Sequence, residues 1–134
     1  MLSQEYKQSY YKGENFEAFQ VMDWFMDELQ GVNAFYACNV IKYLLRYDRK
    51  GTPIQDLKKA IYYASLVSVG ITEVVYQPAL IEPIINDFRR NKNDLEQLWF
   101  AESVSHFLKA VYCGNQPDID EAITAMKKLK GFYK

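Results

Sequence analysis

Apolar residues along this chain recur at spacings of three and four, the period of helices with one face on a core. Phe16, Phe19, Met22, Met26 and Leu29 mark a first helix from about Glu14 to Gln30, and Gly31 can end it. A second helix runs from about Asn33 to Asp48, with Ala37, Ile41, Leu44 and Leu45 as its stripe and Gly51 as a stop. Thr52-Pro53-Ile54-Gln55 reads as a helix start: Thr caps, Pro takes the first helical position, and Gln completes a capping box. The third helix then sets Ile54, Leu57, Ile61, Ala64 and Ser68 inward, and Gly70 closes it.

Ile71 to Tyr76 is β-branched and aromatic and reads as an extended connector, or a short strand with no clear partner. A fourth, shorter helix is predicted from about Glu82 to Arg90, and Arg89 to Asn93 is a polar loop. The fifth helix covers about Asp94 to Tyr112, with Leu98, Ala101, Val104 (or Ser105), Leu108 and Val111 inward. Pro117 opens the last helix, whose inward residues are Ile119, Ala122, Ile123, Met126 and Leu129. Its lysine-rich end complements the helix dipole.

The expected fold is all-α: a compact bundle of five to six helices forming one domain over residues 1–134, with 1–70 and 71–134 as its halves. A faint repeat links the halves. At an offset of 64, Phe35-Tyr36-Ala37 meets Trp99-Phe100-Ala101, Tyr43 meets Phe107, Leu44 meets Leu108 and Pro53 meets Pro117. Shared apolar spacing accounts for such a likeness, and so does a duplicated helical hairpin. The second copy has His106 where the first has Lys42, and Ala110 where the first has Arg46. An anion-binding role would therefore belong to the first copy.

Composition narrows the class. With 134 residues and 49% apolar content, the chain is long and hydrophobic enough to fold around a core. The net charge of −1 argues against coating DNA by bulk electrostatics, while leaving room for a local basic face. No segment is apolar enough to span a membrane and none resembles a signal peptide, so no membrane partner is expected and the expected setting is a cytoplasm. Cys38 and Cys113 are then expected as reduced thiols, and one His with no close cysteine pair makes no zinc set.

The second helix carries the most informative chemistry. At about 100° per residue, Asn39, Lys42, Tyr43, Arg46 and Lys50 fall roughly 140–240° from Ala37, nearly opposite the apolar stripe. Arginine grips a phosphate with two donors, lysine adds a point charge, and tyrosine offers a ring and a hydroxyl. On the third helix Asp56, Lys59 and Tyr63 share a face. In a hairpin the two faces would border a shallow groove. The same residues also read as a solvated charged surface with ordinary ion pairs such as Asp56 to Lys59.

Other chemistry is thinner. The Arg49-Lys50-Gly51-Thr52 turn precedes a helix N-terminus, where backbone N–H groups favour anions, but no glycine spacing makes a Walker A loop. Asp23, Asp27 and Glu28 lie on one side of the first helix and are a minimal set for Mg²⁺; no cofactor is otherwise expected. His106 has no evident nucleophile opposite it, and neither cysteine has a visible activator.

These residues resemble a known group. Tyr11-Lys12-Gly13, Phe19-Gln20-Val21-Met22-Asp23, Asn39-Val40-Ile41-Lys42-Tyr43 with Arg46 and Lys50, and Asp56-Leu57-Lys58-Lys59-Ala60 with Tyr63 are similar to the bacteriophage family catalogued as domain of unknown function 3310. The likeness covers roughly Tyr10 to Leu66. It implies a phage or prophage product in the cytosol of a bacterial host. It also implies nucleotide binding, because the family includes a phage nucleotide kinase without a Walker A loop. Carried over by residue, the ligand-binding candidates are Tyr11, Lys12, Asn39, Lys42, Tyr43, Arg46, Lys50, Asp56, Lys59 and Tyr63. Many members have His before the N-terminal Tyr; Tyr10 stands there here, which weakens a catalytic role for that segment.

The expected function is binding of a nucleotide or other phosphate-bearing ligand, in phage nucleotide metabolism or counter-defence, by a binding protein rather than an enzyme. If it is an enzyme, a kinase-like activity is expected. One alternative is an inhibitor of a host enzyme or defence nuclease, anti-CRISPR-like, with a host protein as partner. Another is an Mg-dependent nucleotide hydrolase using Asp23, Asp27 and Glu28. Exposed aromatic residues suit a homodimer, although no heptad seam requires one.

Overall fold

The computed structural model describes residues 16–25, 29–70, 72, 74–89 and 92–133. Among these the chain forms six helices and no sheet: α1 (Ala18–Phe25), α2 (Gly31–Arg46), α3 (Pro53–Leu66), α4 (Pro78–Arg89), α5 (Asp94–Cys113) and α6 (Pro117–Lys130). The all-α expectation holds. Two helical hairpins, α2–α3 and α5–α6, make the most extensive interfaces, and α3 packs on α6 to join them. α4 lies against α5, and α1 bridges α2 and α5.

The core runs between the hairpins. Leu44, Leu57, Phe100, Phe107, Leu108 and Met126 are fully enclosed there. Each such side chain contributes about 1.5–3 kcal/mol by leaving water. The α2–α3 hairpin is antiparallel because the start of α2 meets the end of α3: Asn33 Oδ1 accepts from the Ser68 backbone N–H at 3.0 Å. Gln116, just before α6, clamps the same end. Its Oε1 accepts from the Val69 N–H at 2.9 Å and its Nε2 donates to the Val67 carbonyl at 3.3 Å.

Several local expectations are corrected. α1 is described over Ala18–Phe25, and its buried face is Ala18, Val21 and Phe25; Phe16, Phe19, Met22 and Leu29 sit at its margins. Small Ala18 and Val21 permit close approach, so the bulkier residues move to the flanks. Met26 lies outside the described residues. The Thr52 side chain makes no capping bond, so α3 starts on Pro53 without the capping box. α4 begins at Pro78, which suits a first helical position, and continues through Pro83. Ala79 and Pro83 are both exposed, so the carbonyl that Pro83 cannot serve is open to water. Leu98 is exposed, and Phe100 and Phe107 point inward on α5 instead. The connector expected at about 71–76 does hold: residues 72 and 74–77 are in neither helix nor strand.

Gly114 ends α5 in the left-handed conformation, at φ 68°, and touches that connector. A Cβ there would stand 2.0 Å from the Gly70 carbonyl oxygen. The close approach requires glycine on both counts.

The C-terminal end is fastened by a buried polar knot. Glu96 of α5 is enclosed, and its Oε2 accepts from the Tyr47 hydroxyl at 2.7 Å and the Tyr133 hydroxyl at 2.5 Å. Burial, reinforced by the Glu96 bonds, pushes both phenols well above the ordinary tyrosine range. Asn93 caps α5, its Oδ1 accepting from the Glu96 N–H at 2.8 Å.

Candidate anion-binding site

Tyr43, on the fourth turn of α2, is the centre of the candidate site. Three cations surround its ring: Arg46 Cζ lies 4.7 Å from the centroid, Lys42 Nζ 5.1 Å and Lys59 Nζ 5.3 Å. Tyr63 of α3 stacks on the same ring, with centroids 6.1 Å apart and planes at 8°. Helical spacing explains the convergence. Lys42, Tyr43 and Arg46 follow one another around α2, and Lys59 and Tyr63 stand four apart on the facing side of α3.

Arg46 is not on an outer face, as the helical wheel implied. It is 3% exposed, and its Nε and Nη2 donate to Asp56 Oδ2 and Oδ1, both at 3.2 Å. Asp56 is 1% exposed. Tyr43 is also enclosed, at 9%. α3 packs over this side of α2, so a position opposite the core-facing stripe is not a solvent position here. The expected Asp56–Lys59 ion pair is replaced by Asp56–Arg46. Lys42 and Lys59 make no ion pair among the described residues. Among the described residues the cluster therefore holds three cations and one carboxylate.

The remaining candidates divide. Asn39 is half-buried and its amide donates to the Phe35 carbonyl at 2.9 Å, a bond within its own helix. Lys50 stands exposed in the turn after α2. Tyr11 and Lys12 lie outside the described residues, as do Asp27 and Glu28 of the proposed magnesium set. Asp23 is exposed, and no group of three metal-ligating side chains occurs among the described residues.

Sequence reasoning passed over the rings that extend the cluster. Phe35 packs edge-on to Tyr63 with centroids 6.0 Å apart, and Tyr63 also meets Tyr62 at 5.5 Å and Tyr36 at 6.2 Å. The signal was present: Tyr36 and Tyr43 are seven apart, two turns on one face. Arg49, read in the sequence only as part of the turn before α3, is turned inward. That guanidinium is enclosed beside the Phe88 ring, 5.4 Å from its centroid, and none of its three nitrogens has a hydrogen-bond partner among the described residues. Asp48 Oδ1 is 3.9 Å from Arg49 Nε, while Asp48 Oδ2 accepts from Lys92 at 2.6 Å.

The second hairpin carries different polar chemistry. His106 sits between Asp118 (Nδ1 to Oδ1, 2.8 Å) and Glu102 (Nε2 to Oε2, 2.9 Å), a structural arrangement without a nucleophile. Cys38 and Cys113 are free and half-buried, and burial pushes both thiols up, away from the reactive thiolate.

The fold and this cluster define an all-helical protein whose first hairpin gathers cations around stacked tyrosines. Residues 6–65 match the family model described as protein of unknown function, DUF3310. The match spans α1, α2 and nearly all of α3, including Lys42, Tyr43, Arg46, Asp56, Lys59 and Tyr63. No curated protein and no solved structure matches the chain. No helix among the described residues is long and apolar enough to cross a membrane.

Proposed function

We propose that the α2–α3 hairpin binds a nucleotide or related phosphate-bearing ligand, as a binding protein rather than a catalyst. One observation carries this: Lys42, Arg46 and Lys59 lie within 5.3 Å of one tyrosine ring, and among the described residues Asp56 is the carboxylate paired with them. Like charges so placed repel, and an incoming oxyanion relieves that repulsion. Asp56 already engages Arg46, so the cations left for a ligand are Lys42 and Lys59. Arg46 then acts by holding Tyr43 and the hairpin in place. The phage setting, and a role in nucleotide metabolism or counter-defence, follow from the family resemblance.

Calorimetry with mono-, di- and triphosphates tests the reading. Lys42→Ala and Lys59→Ala should each weaken binding several-fold while leaving the helical circular dichroism unchanged. Absence of heat with every nucleotide would refute it.

A partner-binding reading has its own support in exposed apolar residues away from this hairpin. Leu95 and Leu98 are exposed on α5, and Leu95 lines a cleft of about 590 Å³ with Trp99, Lys128 and Phe132. A single stoichiometric protein retained from a host lysate, and lost with Leu95→Glu, would favour an inhibitor.

A further inference from the structure

We infer that the ligand of this hairpin is single-stranded nucleic acid, which deepens the nucleotide-binding reading and rests on it. The first argument is the distribution of charge. Residues 31–66 hold six basic side chains (Lys42, Arg46, Arg49, Lys50, Lys58, Lys59) against two acids (Asp48, Asp56), a balance of +4. The rest of the chain holds ten basic against fifteen acidic residues, a balance of −5. A net charge of −1 therefore conceals a strongly basic hairpin on an acidic body. Such a field orients a polyanion onto one face and repels it from the others.

The second argument is the rings. Phe35 and Tyr62 are 57% and 60% exposed, and both rest against half-buried Tyr63. Two exposed rings held by a third are a platform on which bases stack. Lys59 and Lys58 are exposed, about one helical turn before Tyr62 on α3. Lys42 lies two turns, about 10 Å, from Phe35 on α2. Rings at one end and lysines towards the other accept bases and backbone phosphates of one strand together.

A face of rings and lysines gains affinity by adding successive nucleotides, each base adding a stacking contact.

Fluorescence anisotropy with labelled oligo-dT and oligo-rU of two to twelve nucleotides tests this, with TMP and TTP as competitors and duplex DNA as control. The expected result is affinity that rises with length for either strand chemistry and exceeds that for the mononucleotides at least tenfold. Affinity should fall with salt with a logarithmic slope of about −2, for three lysine–phosphate contacts. Phe35→Ala/Tyr62→Ala should weaken the oligomer about tenfold or more. Both residues are exposed, so the fold should survive, as circular dichroism would verify. If nucleotides bind but oligomers bind no more tightly, this inference falls and the nucleotide reading stands. If neither binds, both fall. Equal affinity for duplex DNA, or full affinity in the Phe35→Ala/Tyr62→Ala variant, also overturns it.

Discussion

Replacing Arg46 with Met should damage the fold rather than merely weaken a ligand. Arg46 and Asp56 are enclosed to within a few per cent, and each Asp56 oxygen accepts a hydrogen bond from the guanidinium at 3.2 Å. The variant leaves a buried carboxylate without those donors, and breaking one side of a buried pair typically costs about 3–5 kcal/mol. That is a large part of a total stability of roughly 5–15 kcal/mol. At about 4 °C per kcal/mol for a chain of this size, Tm should drop by about 12–20 °C. Asp56→Asn should cost less, because an amide oxygen still accepts one bond. The double variant Arg46→Met/Asp56→Val should recover most of the loss, because no stranded charge remains. Urea unfolding without ligand, followed by circular dichroism, measures all four proteins. A single Arg46→Met cost below about 1 kcal/mol, or a double variant as damaged as Arg46→Met, would show that Arg46 is not structural.

Arg49→Met should behave oppositely. Its guanidinium makes no hydrogen bond among the described residues and buries its charge beside Phe88, with Asp48 no nearer than 3.9 Å, so removal should change stability by less than about 1 kcal/mol in either direction by urea midpoint. Stability should also decline above about pH 10. The folded protein keeps the Tyr47 and Tyr133 protons where the unfolded chain releases them, so it binds more protons there and loses stability as pH rises; below pH 10 these phenols contribute no slope. Urea midpoints from pH 8 to 11 should fall less steeply in Tyr133→Phe, and an unchanged slope would count against the knot. Gly114→Ala should cost more than about 2 kcal/mol, because its Cβ would meet the Gly70 carbonyl at a positive φ. A Tm within 2–3 °C of the natural protein would contradict that geometry.

Much of the site was legible in the chain before any coordinates. The run from Asn39 to Tyr63 announces two helices, a turn and a concentration of Lys, Arg and Tyr. The offset of 64 also held a warning. Phe107 and Ala110, the counterparts of Tyr43 and Arg46, are apolar and buried, so the equivalent positions on α2 face the interior as well. A helical wheel divides α2 into one inside and one outside. It cannot represent a helix covered on two sides.

The order and kind of the helices follow from local chemistry: apolar period, Pro at the first turn of α3 and α6, and Gly after α5. These are short-range properties, and a sequence carries them directly. Pairing is different, because it joins residues distant along the chain. Only the packing of α3 over α2 turned Arg46 from a ligand candidate into Asp56's partner and set Lys59 over Tyr43. Only the return of the C-terminal end brought Tyr133 to Glu96. Which cations stay available to a ligand is decided by which carboxylates fall within reach, and that is a property of the assembled hairpins.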